Sequence, residues 1–107
     1  MSLKNNRTVD LHGLSVPKAL EKFIQFYNQC IKECYKDRIE VVHGYGSSGI
    51  GGDIKKELLL YLNKNSRLLV SFLEGDKIGN PGVTIVYPKD RLPIYNTNKT
   101  ERIIRIK

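Results

Sequence analysis

Residues 8–42 constrain the fold more than any other part of the chain, because two strand-like runs flank one long amphipathic stripe. Thr8-Val9-Asp10-Leu11 alternates polar and apolar residues with the two-residue period of a half-buried strand. Gly13 breaks the run. Ser15-Val16-Pro17 then supplies a capping side chain and an early proline, which a first helical turn tolerates because its N–H groups lack intrahelical partners. Val16, Leu20, Phe23, Tyr27, Cys30 and Cys34, widened by Ala19, Ile24, Phe26 and Ile31, recur at helical spacing through about Tyr35. After Lys36-Asp37-Arg38, Ile39 to Val42 forms a second apolar run. The simplest connection is a right-handed crossover between parallel strands. Cys30 and Cys34 sit one turn apart on the buried stripe and read as packing residues, since no second Cys/His pair stands at zinc spacing.

The remainder extends this βαβ unit. His43 to Gly52 holds five glycines, at 44, 46, 49, 51 and 52, so the backbone there can approach a ligand closely. Asp53 is expected to start a second helix with Ile54, Leu58, Tyr61 and Leu62 facing the core, its face widened by Leu59 and Leu60. Arg67 to Leu73 reads as a third strand, Glu74 to Pro81 as a polar loop and Gly82 to Tyr87 as a fourth strand stopped by Pro88. The order βαβαββ predicts a two-layer α/β sandwich, a mixed four-stranded sheet packed against two helices. Residues 1–7 read as a disordered start, 8–88 as one domain, and 89–107 as a basic tail in which Leu92 to Tyr95 is extended and Ile103 to Lys107 could add an edge strand.

A chain of 107 residues supports one core. No apolar run approaches the ~20 residues of a membrane span, and the start has no apolar signal core, which predicts a cytoplasmic protein, monomeric by default. The excess of 18 Lys and Arg over 11 Asp and Glu gives +7, a balance that favours polyanionic partners, nucleic acid first among them. From Pro88 onward six basic residues face Asp90 and Glu101.

Chemistry is expected at the strand ends. Two-residue alternation puts Asp10 and His12 on one side of the first strand, where the carboxylate can orient or charge the imidazole for acid–base work or simply cap a turn. A second glycine turn, His43-Gly44-Tyr45-Gly46, also follows an apolar strand and precedes a helix, so the two turns should be neighbours on the ligand-binding edge of the sheet. His43 reads either as a satisfied strand-end histidine or, with Asp10 and His12, as the third member of a two-histidine, one-carboxylate set for a divalent metal ion. Gly44 and Gly46 fit a tight turn or close approach to a phosphate, and Tyr45 either stacks on an unpaired base or folds onto the core. The loop matches neither a P-loop nor a dinucleotide fingerprint.

Asp10-Leu11-His12-Gly13 followed by His43-Gly44-Tyr45-Gly46 resembles the small MutS-related (Smr) domain family, whose hallmarks are an Asp-Leu-His-Gly motif and a later His-Gly-x-Gly motif. Gly79-Asn80-Pro81-Gly82-Val83-Thr84 is similar to a third family feature, a glycine-rich turn entering a Gly-Val-Thr strand. The resemblance spans roughly Val9 to Tyr87 and implies a fold similar to the C-terminal domain of a bacterial translation initiation factor. It also implies binding or endonucleolytic cleavage of DNA or RNA. The family commonly has Lys at the position of Tyr45, a shorter loop, and an Arg where Lys55 stands nearest.

The resulting site expectation is Asp10, His12 and His43 as catalytic groups, with Gly13, Gly44, Tyr45, Gly46 and Lys55 binding phosphate. The alternatives are a non-catalytic nucleic-acid-binding module and a metal-dependent hydrolase of a small phosphate compound.

Overall fold

The computed structural model describes residues 7–44 and 50–95. Its strands and helices follow the expected order: β1 Arg7–Asp10, α1 Val16–Lys32, β2 Ile39–Val42, α2 Ile50–Lys64, β3 Leu69–Glu74 and β4 Val83–Pro88. The sheet order is β1-β2-β4-β3. β1 and β2 are parallel, with Asp10 opposite Val42, whereas β4 runs antiparallel to both β2 and β3. β2 and β4 are therefore inner strands, and β1 is an edge.

One face of the sheet carries the helices. Val9, Leu11, Ile39, Val41, Leu69 and Val86 pack against Leu20, Phe23 and Tyr27 of α1 and Ile54, Leu58 and Leu62 of α2 in one cluster. Each fully buried aliphatic or Phe side chain contributes about 1.5–3 kcal/mol. No described helix is long and apolar enough to cross a membrane.

Several boundaries differ from expectation. β1 begins at Arg7, because its N–H donates to the Tyr35 hydroxyl at 3.2 Å and its guanidinium meets Glu33 at 2.5 Å and lies 4.4 Å from the Tyr35 ring centre. α1 opens as expected, with the Ser15 hydroxyl accepting from the Lys18 N–H at 3.4 Å. It ends at Lys32 rather than near Tyr35. The Cys34 N–H bonds the Ile31 carbonyl and the Tyr35 N–H returns to the Cys30 carbonyl, both at 2.9 Å, while Cys34 takes φ 62°. This is a Schellman stop with Cys in the left-handed position usually held by glycine. Cys34 is accordingly exposed rather than a packing residue; Cys30 is buried as expected.

α2 starts at Ile50, which places Asp53 within the first turn, where the helix dipole favours a carboxylate, instead of at the cap. Leu60 is 55% exposed and does not widen the core face. A short 3-10 turn, Ser66–Leu68, takes the expected beginning of the third strand, and another, Gly75–Ile78, tightens the loop before β4. Gly75 is packed so closely there that a Cβ would run into the Asn80 and Val83 carbonyl oxygens.

Beyond Pro88 the chain stays against the helices. Asn28 on α1 grips Leu92 by both backbone groups, donating to its carbonyl at 2.9 Å and accepting from its N–H at 2.8 Å. Tyr27 accepts from the Lys89 N–H, Tyr61 donates to the Pro93 carbonyl, and Tyr95 meets Tyr61 edge-on at 6.0 Å. Leu92 is buried in the core cluster. Residues 89–95 thus belong to the helix layer, and the expected edge strand at 103–107 lies outside the described residues.

Candidate nucleic-acid interface

β1 stops at Asp10 and the chain turns at once. The Leu11 N–H still bonds the Val42 carbonyl at 2.7 Å, and the Leu11 side chain is fully buried, which anchors the turn from beneath. Asp10 Oδ1 then accepts from the His12 backbone N–H at 3.1 Å and lies 2.7 Å from His12 Nδ1. The carboxylate therefore closes a two-residue side-chain turn and holds the imidazole with the same oxygen. Strand alternation is not the cause of their proximity. A carboxylate partner puts the proton on Nδ1 and leaves Nε2 as the acceptor of the neutral ring. The His12 and Asp10 side chains are 67% and 55% exposed, so the pair faces solvent. The hydrogen bond from the His12 ring, helped by the backbone N–H and by the charge of Lys22, holds the Asp10 carboxyl below its usual range.

The two glycine turns are neighbours, as expected. Gly13 and Gly44 have φ of +83° and +90°, and a Cβ on Gly44 would sit 3.8 Å from His12 Cβ. Both conformations are in the region that side chains rarely adopt. Tyr45 and Gly46, assigned to base stacking and phosphate approach, lie outside the described residues.

His43 differs from His12 in burial and in the partners of its ring. It follows an inner strand, its N–H and that of Gly44 bond the Gly82 carbonyl at 2.9 and 3.0 Å, and its side chain has no exposed surface. Nδ1 donates to the Gly44 carbonyl at 3.0 Å, and the hydroxyl of buried Thr84 donates to Nε2 at 2.8 Å. Burial, with a smaller push from the positive charge of Lys55, moves the His43 pKa down and keeps the ring neutral. Both ring nitrogens have partners inside the fold, an arrangement that suits a framework residue more than the expected catalytic group or metal ligand. Among the described residues no group of three His, Cys, Asp or Glu side chains could hold a metal ion. The donor set does not fit the divalent-metal reading.

Lys55, expected to bind phosphate, has carboxylate neighbours. Its ammonium is 2.9 Å from Asp76 and 3.8 Å from Glu74, with the side chain only 18% exposed, so two carboxylates already offset its charge. Lys22, absent from the sequence-based set, stands at the site instead: its Nζ donates to the Asp10 carbonyl at 3.0 Å. The usable signal was the crossover itself. In a βαβ unit the first turns of the helix lie beside the end of the first strand, which brings position 22 near Asp10. Thr84 was present in the Gly-Val-Thr segment without a role; its position opposite Val41 gives it one.

The geometry agrees with comparison to known proteins. The Smr domain family model matches residues 9–89. The crystal structure of the Smr domain of Thermus thermophilus MutS2 is similar at a TM-score of 0.65 and 25% identity, covering 78% of this chain and 98% of that one. No curated protein sequence matches. The family match over most of the chain, on a fold that brings the Asp-Leu-His-Gly and His-Gly turns together, shows that the chain belongs to the Smr domain family.

Proposed function

We propose that this Smr domain binds DNA or RNA at the edge carrying Asp10, His12 and the two glycine turns, and cleaves a phosphodiester there. The observation that carries the proposal is the solvent-facing Asp10–His12 pair at 2.7 Å. Asp10 holds the ring through Nδ1–H, and His12 Nε2 takes the proton of the attacking oxygen, either a water or the 2′-hydroxyl of RNA. That oxygen bonds phosphorus, the bond to the 5′-oxygen breaks, and the protonated imidazole returns a proton to the departing oxygen. Gly13 and Gly44 keep side chains away from the phosphate. The chain's net charge of +7 supports a polyanionic substrate.

Labelled single-stranded RNA, duplex DNA and branched DNA, incubated with wild type, Asp10→Asn and His12→Gln, test the proposal. Each substitution should slow cleavage by about 10²–10⁴-fold, the usual contribution of a positioned acid or base, and the double variant should be little worse than either single. Equal cutting by wild type and variants would defeat the catalytic reading. Binding without cleavage by the wild type would leave a nucleic-acid-binding module.

A further inference from the structure

We infer that Lys22 is the side chain that grips the substrate phosphate beside Asp10 and His12, an assignment that rests on the nucleic-acid reading above and specifies the cation it needs. Among the described residues two lysines, Lys22 and Lys55, stand near the site, and their surroundings differ. Lys55 is enclosed by Asp76 and Glu74. Lys22 is exposed and, among the described residues, has no carboxylate within ion-pair distance; its one hydrogen-bond partner is the Asp10 backbone carbonyl. An ammonium has three N–H donors, so one bond to that carbonyl fixes the nitrogen in place and leaves two for phosphate oxygens. The cation therefore needs no rearrangement to receive an anion. The carbonyl it holds belongs to the residue whose carboxylate orients His12, which ties the position of the cation to that of the imidazole.

Neutralising one phosphate fewer should lower the log–log salt slope of binding by about 0.7 for single strands and about 0.9 for duplex. At 0.1 M salt this corresponds to a loss of affinity of roughly fivefold and eightfold respectively. The experiment titrates a labelled oligonucleotide with wild type, Lys22→Gln, Lys22→Arg and Lys64→Gln at several salt concentrations. Lys64, in the last turn of α2, removes the same net charge away from the site.

Lys22→Gln should show the reduced slope, with Lys22→Arg and Lys64→Gln keeping that of wild type. All should unfold at the wild-type temperature, since both lysines are exposed. Wild-type binding with an unchanged slope in Lys22→Gln would overturn this assignment alone. Equal losses in Lys22→Gln and Lys64→Gln would also overturn it, by showing diffuse attraction. No salt-dependent binding by the wild type would refute the nucleic-acid reading itself, and this assignment with it.

Discussion

Thr84→Val isolates the hydrogen bond that fixes His43, because valine nearly preserves the volume of threonine while removing the hydroxyl that donates to Nε2 at 2.8 Å. His43 has no exposed surface, so water cannot replace that donor, and the buried acceptor is left unsatisfied. Such a loss costs about 1–3 kcal/mol. For a domain of this size, each kcal/mol moves the melting temperature by about 4–8 °C, so the expected fall is about 4–24 °C. The assay is denaturant unfolding of wild type and Thr84→Val from pH 8 to 5.5, both in a His12→Gln background that removes the second of the chain's 2 histidines. The folded pKa of His43 is lowered, chiefly by burial, so below the ordinary unfolded value of about 6.5 the unfolded chain binds a proton that the folded chain refuses. Stability from this residue is complete above that pH and falls as the pH drops toward the folded value, by at most about 1.4 kcal/mol per pH unit. The His12→Gln background removes the ring that lowers the Asp10 pKa, and Asp76, lowered by Lys55, loses its contribution only as the pH falls through the ordinary carboxylate range and below, outside this window. A Thr84→Val cost under about 0.5 kcal/mol, or stability flat between pH 8 and 5.5, would refute the account of His43 as a neutral, internally bonded ring.

Cys34→Gly should raise stability by about 0.5–1 kcal/mol, because glycine adopts φ 62° without a Cβ penalty, and thermal melting checks it. Leu92→Ala should cost about 2–5 kcal/mol in denaturant unfolding, whereas a detachable tail would show no change. Gly75→Ala should abolish the cooperative transition or lower it severely, since the added methyl meets backbone oxygens on two sides.

The fold was legible to the extent that local pattern determines it. Apolar spacing in α1 identified the buried face, and the strand–helix–strand run identified the parallel β1–β2 pair. The misreadings arose where backbone hydrogen bonding outweighs side-chain pattern. Cys34 continues the helical stripe in sequence, yet the bonds from Cys34 and Tyr35 back to Ile31 and Cys30 end the helix before it. Leu92 follows a proline stop and a charged run, so nothing local marks it as core; its place depends on Asn28, 64 residues away.

The two histidines were harder to separate because their local sequences are so similar: each follows an apolar run, precedes glycine and leads toward a helix. Their different fates come from strand order, which no local pattern encodes. His12 leaves β1 at an edge, where no further strand covers it among the described residues, so a short carboxylate bond fixes the ring while its surface stays open. His43 leaves β2 between β1 and β4, where Gly82 takes its backbone N–H and Thr84 reaches its ring. The same asymmetry separates the lysines. α2 brings Lys55 to the end of β3, where Glu74 and Asp76 meet it, whereas α1 brings Lys22 to the edge strand, where among the described residues it holds a backbone carbonyl. An inner position thus consumes the hydrogen-bonding capacity of a polar side chain and an edge position leaves part of it for a ligand, which is why the proposed site is drawn on the β1 side of the sheet.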